Sequence, residues 1–281
     1  MPLPVILVTG AGGLLGPYLV EAAETVGKPV SVARSGGDFR CDLGDADAVH
    51  AVIEDVNPDI VLHAAAMTNV DDCEANPDAA ERANHLATAN IATALPSRCR
   101  LVVYSTIAVY PDTAGPHVEG SEAPVNVYGK TKLAGERAAL EKERTLVLRT
   151  MLFGPSRTKG RISLSDFVIS NLSSGKPITL FSDVKFSPLH LQTMAEITFE
   201  AVEAGLTGVY NAGTRDGMTK AEFGGAVAQA FGLSTQTMKT GISTSVPGRA
   251  PRARDTRLDS RKLATALGRE MPSVAEEIAK L

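Results

Sequence analysis

The amino-acid sequence predicts an α/β fold of the Rossmann type, a doubly wound parallel sheet with helices on both faces, followed by a smaller C-terminal part. Three observations carry this prediction. Apolar segments such as residues 5–8 and 60–62 lack polar alternation, which is typical of parallel strands buried on both faces. Strand-like and helix-like segments alternate through residue 150. A glycine-rich turn separates the first strand from the first helix.

The order of the elements follows from the apolar runs and from the residues that end them. Gly27 ends the first helix and Pro58 follows the second, because glycine suits a helix C-terminus and proline cannot continue a helix. The strands predicted before residue 150 are 5–8, 30–33, 60–62, 101–105 and 145–149, and the helices are 17–26, 45–56, 76–95 and 128–142. Beyond it, the sequence predicts helices at 163–174, 189–204 and 219–231, a strand at 177–181 and an irregular, basic stretch at 234–257.

Length and composition fit a globular protein and argue against several other classes. The chain has 281 residues, of which 44% are hydrophobic, and a formal net charge of -4. Because nucleic-acid binding needs a basic face, no nucleic-acid partner is expected. The 3 cysteines are widely spaced, which favours reduced thiols over a disulfide framework or a zinc site. With no signal-peptide pattern and no apolar run of the roughly 20 residues that a membrane span needs, a cytoplasmic protein without membrane contact is expected.

Residues 9–16, Thr-Gly-Ala-Gly-Gly-Leu-Leu-Gly, have the properties of a phosphate-binding loop. Gly10 permits a tight turn, Gly13 lets the backbone approach a diphosphate, and Gly16 lets the helix pack closely on the strand. The free N–H groups at the start of the helix, around Leu14 and Leu15, supply an anion site. The loop therefore predicts a dinucleotide cofactor at the carboxyl end of the first strand.

The Gly-x-x-Gly-x-x-Gly spacing resembles that of the short-chain dehydrogenases/reductases. The resemblance implies that the cofactor also contacts Asp42, Leu43, Ala64, Ala65 and Ala66. The second strand ends without an Asp or Glu that could bind a ribose 2′-hydroxyl, and Arg34 stands there. An arginine can pair with a 2′-phosphate, so NADPH is the expected cofactor and NADH the alternative.

Three side chains are the candidate catalytic residues. Tyr128 and Lys132 are four residues apart in a predicted helix, so their side chains share one face, and a nearby ammonium lowers the pKa of a phenol. Thr106 follows a buried strand at its carboxyl end, where open α/β sheets bind ligands, with Ser105 as the alternative hydroxyl. The set predicts carbonyl reduction by hydride from the nicotinamide. Thr106 and Tyr128 would hold the carbonyl oxygen, Tyr128 would supply the proton, and Lys132 would hold the nicotinamide ribose.

Longer segments resemble the dTDP-4-dehydrorhamnose reductases. These segments are residues 64–71, 125–136, 148–150 and the basic signature 252–263. The resemblance covers nearly the whole chain and implies an extended short-chain reductase of a nucleotide-linked 4-keto-6-deoxy sugar. The expected substrate-binding residues are Thr68, Val70, Ser105, Arg252 and Arg257, with the forked guanidiniums at the substrate diphosphate. Among the five arginines between 249 and 261, at least two are expected to pair with carboxylates.

These inferences divide the chain into two parts. Residues 1–150, with a returning segment at about 183–206, are assigned to an NAD(P)-binding Rossmann domain. Residues 151–182 and 207–281 are assigned to a substrate-binding part. A nucleotide sugar is the expected small-molecule partner, and a homodimer is the assembly that the sequence leaves open.

Departures from the family keep other functions open. Residues 107–108 are Ile-Ala where the dTDP-4-dehydrorhamnose reductases carry Asp-Tyr, and with residues 109–110 they are closer to the sugar-nucleotide epimerases. The residues on either side of Gly16 are apolar where the family has acidic metal ligands, so no metal is expected. Residues 217–233 resemble the regulatory β subunit of methionine adenosyltransferase. The alternatives are therefore an epimerase, another carbonyl reductase, or a non-catalytic NADP-binding regulatory subunit.

Overall fold

The computed structural model describes residues 2–245 and 248–281, so residues 246 and 247 of the predicted irregular stretch lie outside the described residues. The strands are β1 (Val5–Thr9), β2 (Lys28–Ala33), β3 (Phe39–Arg40), β4 (Ile60–His63), β5 (Arg100–Thr106), β6 (Thr145–Thr150), β7 (Leu152–Phe153), β8 (Ile178–Phe181), β9 (Lys185–Phe186), β10 (Leu189–His190), β11 (Gly208–Asn211), β12 (Met218–Thr219), β13 (Met238–Gly241) and β14 (Asp255–Thr256). The helices are α1 (Gly16–Glu24), α2 (Ala46–Val56), α3 (Val70–Ala75), α4 (Pro77–Ala80), α5 (Ala87–Ala94), α6 (Val127–Leu140), α7 (Leu164–Ser173), α8 (Leu191–Glu203), α9 (Lys220–Ala230), α10 (Arg261–Leu267) and α11 (Val274–Ile278).

Seven strands form one parallel sheet in the order β11-β6-β5-β4-β1-β2-β3, which confirms the predicted fold class. The strand order reverses between β1 and β4, and such a switch point opens a crevice at the carboxyl ends of the strands. Thr9 of β1 lies opposite His63 of β4, and Thr106 of β5 lies opposite Thr150 of β6. The residues predicted to carry chemistry therefore converge on one edge of the sheet.

Two apolar clusters bury the two faces of this sheet. Val8 and Leu62 point into the cluster that includes α1 and α8, whereas their neighbours Leu7 and Val61 point into the cluster that includes α2 and α5. Because successive side chains of a strand point to opposite faces, burial of both faces explains the unbroken apolar runs. Each such side chain contributes roughly 1.5–3 kcal/mol of transfer free energy.

The helix predicted at 76–95 is interrupted. Residues Glu81–Leu86 form a π-helix between α4 and α5, and Asn84 lies at its centre. A π-turn adds a residue to a helical turn and often occurs beside a functional site. The alanine-rich periodicity does not reveal it, whereas the structure shows Asn84 hydrogen-bonded to Met67 and Thr131, which lie outside the helix.

The C-terminal part has its own apolar core and small two- and three-stranded sheets, in which β8 pairs with β13 and β9 lies between β12 and β14. The predicted boundary at residue 207 is too early, because β11 pairs with β6 and becomes the seventh strand of the main sheet. Its four residues, one of them a glycine, are too weakly apolar to be recognised as a strand. No helix in the described ranges is long and apolar enough to cross a membrane.

Candidate active site

In the phosphate loop, the backbone approaches neighbouring backbone so closely that only glycine fits at two positions. Gly10 has φ of 72°, and a Cβ atom there would lie 2.6 Å from the backbone nitrogen of Ala65. A Cβ atom on Gly16 would lie 2.3 Å from the carbonyl oxygen of Gly10. Leu15, which precedes α1, has no side-chain cap. Pro17 has no N–H and the Tyr18 nitrogen donates to the Leu15 carbonyl at 3.0 Å, so the N–H groups that can meet an anion are those of residues 14–16. This cradle fits the diphosphate of a dinucleotide.

Residues 155–158, which the sequence did not identify as part of the site, lie against the phosphate loop. The hydroxyl of Thr158 donates to the Gly13 carbonyl at 3.0 Å, and the hydroxyl of Tyr18 donates to the Pro155 carbonyl at 2.8 Å. The guanidinium of Arg157 lies 3.9 Å from the centroid of the Tyr18 ring. Residues 155–158 therefore form a wall beside the phosphate loop.

Two of the residues predicted to contact the adenosine lie at the end of the sheet next to β2. Arg34 follows β2, is exposed and has no ion pair among the described residues, so its guanidinium is available to a phosphate. Asp42 pairs with Arg82 at 2.8 Å, and this bond holds the pKa of the Asp42 carboxyl below its ordinary value. Ala64, Ala65 and Ala66 follow β4 directly and are only half-buried, which leaves space above the strand end. The cofactor contacts of these residues stay predictions.

The three candidate catalytic residues come together at the ends of β5 and α6. The hydroxyl of Thr106 accepts a hydrogen bond from the backbone of Ala108 at 3.1 Å, which leaves its own hydrogen free to donate elsewhere. Thr106 also lies close enough to the Tyr128 phenol to lower its pKa. Lys132 is buried and its ammonium donates to the Tyr104 carbonyl at 2.8 Å.

The protonation states differ from the prediction. Burial raises the pKa of Tyr128 to about 12, against the opposing effect of Thr106. Burial also lowers the pKa of Lys132 to about 8, although the carboxylate of Glu136 opposes this shift. The predicted lowering of the phenol's pKa by Lys132 is therefore wrong for the protein alone, since desolvation dominates at both groups. At neutral pH the phenol is protonated, which is the state that a proton donor needs.

Ser105 does not reach the site. Successive residues of β5 point to opposite faces, and the hydroxyl of Ser105 donates to the buried carboxylate of Glu136. The substrate contact predicted for Ser105 is therefore wrong. Thr106, by contrast, is on the face of Tyr128.

Thr150 is a site residue that sequence reasoning missed. It is 6% exposed, lies opposite Thr106 in the register of β5 and β6, and its hydroxyl has no hydrogen-bond partner among the described residues. A buried hydroxyl without a partner costs about 1–3 kcal/mol unless a bound group satisfies it. Its position at a strand end next to Thr106 could have identified it, because register partners in neighbouring parallel strands share a face.

Asn84 organises the floor of the site. Its carbonyl oxygen accepts from the Met67 nitrogen at 2.8 Å, and its amide donates to the Met67 carbonyl at 3.1 Å and to the Thr131 hydroxyl at 3.2 Å. It thus ties the segment after β4 to the helix that carries Tyr128. Thr68 and Val70 follow Met67, Thr68 exposed and Val70 half-buried, so their predicted substrate contacts stay predictions.

The arginines of the C-terminal signature are mostly paired. Four of the five form ion pairs, namely Arg252 with Asp71, Arg254 with Asp112, Arg257 with Asp255 and Arg261 with Asp259. Arg257 also donates to the Gly115 carbonyl at 3.1 Å, so its guanidinium is held by its own neighbourhood and the diphosphate contact predicted for it has no support. In the described part of the chain, no group of three His, Cys, Asp or Glu side chains could hold a metal ion.

Comparison with known proteins places the chain among relatives of both predicted kinds. It is 29% identical to the probable low-salt glycan biosynthesis reductase Agl14 of Haloferax volcanii over 98% of this chain and 96% of that protein. It is 33% identical to dTDP-4-dehydrorhamnose reductase of Mycolicibacterium smegmatis over 93% of this chain and 80% of that protein. It is 30% identical to methionine adenosyltransferase 2 subunit beta of Mus musculus over 95% of this chain and 84% of that protein.

A solved structure of a dTDP-4-dehydrorhamnose reductase shares the fold of this chain. The crystal structure of dTDP-4-dehydrorhamnose reductase from Bacillus anthracis in complex with NADP superposes with a TM-score of 0.90, at 22% identity, over 100% of this chain and 98% of that one. The model of the RmlD substrate binding domain matches residues 4–281. The predicted family resemblance is thus confirmed. The chain belongs to the RmlD substrate binding domain family within the extended short-chain dehydrogenases/reductases.

Proposed function

We propose that the protein is an NADPH-dependent reductase of a nucleotide-linked 4-keto-6-deoxy sugar. Its family makes it an NAD(P)-dependent oxidoreductase of the extended short-chain type. The observation that carries the finer proposal is the convergence of Thr106, the protonated Tyr128 and Lys132 on the carboxyl edge of the sheet, beside the phosphate loop.

The cofactor would be held by the backbone of Gly10, Gly13 and Gly16, by Arg34 at a 2′-phosphate and by Lys132 at the nicotinamide ribose. When bound, it supplies the hydride. NADPH is favoured over NADH because β2 ends without a carboxylate for the ribose 2′-hydroxyl, and Arg34 is free of ion pairs among the described residues.

The chain's own residues act on the carbonyl oxygen. The hydroxyl of Thr106, which faces the Tyr128 phenol, donates its hydrogen to that oxygen and polarises the carbonyl. The phenol of Tyr128 then transfers its proton to the same oxygen as negative charge develops there. Lys132 places positive charge beneath the site, and its hydrogen bond to the Tyr104 carbonyl fixes the position of the ammonium.

The first experiment is to mix the protein with NADPH and a dTDP-4-keto-6-deoxy sugar and follow nicotinamide absorbance. Wild type should consume NADPH stoichiometrically. Tyr128→Phe should lower kcat by at least about 100-fold, because it removes the general acid, while NADPH binding and the melting temperature stay unchanged. Tyr210→Phe, a change at a half-buried tyrosine of β11 in the main sheet, is the matched control and should retain turnover.

Absence of NADPH consumption, with NADPH shown to bind, would contradict this substrate assignment. An epimerase would convert a sugar nucleotide without net consumption of cofactor. A regulatory subunit, as in the relatives named methionine adenosyltransferase 2 subunit beta, would copurify with a partner and be indifferent to Tyr128→Phe.

A further inference from the structure

Three cationic side chains lie together in the C-terminal part, next to the candidate active site. Lys220 is the first residue of α9, and Arg249 and Arg252 belong to the segment before β14. The guanidinium of Arg249 lies 4.7 Å from the centroid of the Phe181 ring, and the ammonium of Lys220 lies 5.9 Å from that of Phe186. Cations over the faces of aromatic rings are held in place without being neutralised.

Among the residues that the structure describes, one of these cations forms an ion pair with a carboxylate. Arg252 donates to both oxygens of Asp71, at 2.9 and 2.8 Å. Lys220 and Arg249 have no ion pair in the described part of the chain. Asp183, a nearby acidic residue, is occupied by Ser243, whose backbone and hydroxyl donate to it at 2.9 and 2.7 Å.

The nearby carboxylates are already engaged by other groups, Asp71 by Arg252 and the Ala250 nitrogen and Asp183 by Ser243. Burial lowers the pKa of Lys220 to about 8, and the charges of Arg249 and Arg252 lower it further in the same direction. Burial, and then the charge of Arg252, also lowers the pKa of Arg249, although the carboxylates of Asp71 and Asp183 oppose this shift. Like charges that are buried side by side destabilise the protein unless an anion binds between them.

The cluster borders the site through a short segment of backbone. The carbonyl of Pro251, between Arg249 and Arg252, accepts a hydrogen bond of 2.8 Å from the side chain of Asn126. Asn126 also caps α6 by accepting from Gly129, and Tyr128 lies between the two. A ligand that reaches Tyr128 with one end can therefore reach the cations with the other.

We propose that Lys220 and Arg249 form the subsite for the diphosphate of a nucleoside-diphosphate substrate. This inference rests on the proposed function and moves diphosphate recognition away from Arg257, whose guanidinium is held by Asp255. A diphosphate offers two adjacent negative groups, which a point charge and a forked guanidinium bind together. Arg252, paired with Asp71, positions the segment that carries Arg249.

The test is calorimetric binding of thymidine 5′-diphosphate and uridine 5′-diphosphate to the full chain, saturated with NADP+ so that neither probe enters the cofactor site. Lys220→Met should weaken binding of the preferred diphosphate at least tenfold, because a charge-assisted contact is lost. It should change binding of the corresponding nucleoside little. Lys220→Arg should restore most of the affinity, since the charge is kept.

Lys239→Met is the matched control, because Lys239 is an exposed lysine on β13 of the same part. It should bind the diphosphates as wild type does. NADPH affinity and melting temperature check that Lys220→Met is folded. Diphosphate affinity that is unchanged in Lys220→Met, or equal losses for diphosphate and nucleoside, would overturn the inference, as would the absence of binding of both probes to wild type.

The two proposals fail separately. If the keto sugar is not reduced but Lys220→Met still weakens diphosphate binding, the subsite stands and the reductase assignment fails. If the keto sugar is reduced and its KM is the same in Lys220→Met, the reductase stands and the subsite fails.

Discussion

His63 links the sheet edge to the phosphate loop, and its hydrogen bonds define its tautomer. The hydroxyl of Thr88 donates to the Asn84 carbonyl at 2.8 Å, so the His63 Nε2–H must donate to Thr88, at 3.1 Å. Its Nδ1 then accepts from the Thr9 hydroxyl at 2.7 Å. His63 is therefore a packed strand-end residue, with both ring nitrogens hydrogen-bonded inside the fold. Protonation of Nδ1 would break the bond to Thr9.

The stability of the protein should fall in acid because of His63. Burial, and then the charge of Lys132, lowers its pKa to about 3, whereas in the unfolded chain an imidazole titrates near about 6.5. Between these values the unfolded state binds the extra proton, so the free energy of unfolding decreases as pH falls. We expect a loss of about 2–3 kcal/mol from His63 between pH 6.5 and 4.5, measured by urea unfolding.

The variant His63→Gln, less stable at pH 7, should lose most of this slope. His50→Gln, at an exposed position of α2, is the control and should keep it. An unchanged slope in His63→Gln would show that other groups dominate the acid response.

The contacts at the start of helix α6 fix the position of the face that carries Tyr128 and Lys132. Asn126 accepts from the Gly129 nitrogen at 2.8 Å, and Glu74 accepts from the Val127 nitrogen at 3.0 Å. A Cβ atom on Gly129 would lie 2.1 Å from the Ala108 carbonyl oxygen, so the first turn of the helix packs directly on the segment after Thr106. This close approach brings the threonine and the tyrosine together.

Substitutions at Asn126 should separate its two roles. Asn126→Ala removes the cap and should lower the free energy of unfolding by about 1–2 kcal/mol, whereas Asn126→Asp retains the cap acceptor and should cost less. Both variants remove the donor to the Pro251 carbonyl and should weaken binding of the preferred nucleoside diphosphate. Ser273→Ala, which removes the cap of α11, is the control, because it should destabilise the protein without changing that affinity. Equal affinities in all three variants would contradict a role of Asn126 in positioning the basic segment.

At the scale of the whole molecule, a buried ion-pair network joins the main sheet to helix α6 and to the segment that contains Glu122. Arg149 of β6 pairs with Glu136 of α6 and with Glu122, and donates to the Tyr110 hydroxyl at 2.9 Å. The same Glu136 accepts from Ser105. The network is almost fully buried, since Arg149 is 2% and Glu136 1% exposed.

Removal of Arg149 should therefore be costly. Arg149→Met leaves Glu136 buried without its cation and should lower the free energy of unfolding by about 3–5 kcal/mol, measured in urea. The matched control is Arg215→Met, because Arg215 forms its ion pair with Glu276 with both side chains exposed, where such pairs contribute little. Similar effects of the two substitutions would show that the buried network is not a major source of stability.

The sequence by itself was sufficient for the fold class, for most strands and helices of the first 150 residues, and for the grouping of Thr106, Tyr128 and Lys132. These features depend on local patterns: apolar runs fit strands buried on both faces, glycines fit a backbone contact, and spacing by four fits one helix face. The family resemblance rested on contiguous segments of the same kind.

Only the tertiary structure decided which charges are compensated and which polar groups lack partners. It paired Arg252 and Arg257 with carboxylates and turned Ser105 away from the site. Among the described residues, it left Lys220 and Arg249 without an ion pair and buried the Thr150 hydroxyl without a hydrogen-bond partner. It also raised the pKa of Tyr128 where a nearby lysine predicted the opposite. The physical reason is that desolvation and ion pairing depend on neighbours distant in sequence, such as Asp71 and Arg252, which no local pattern brings together.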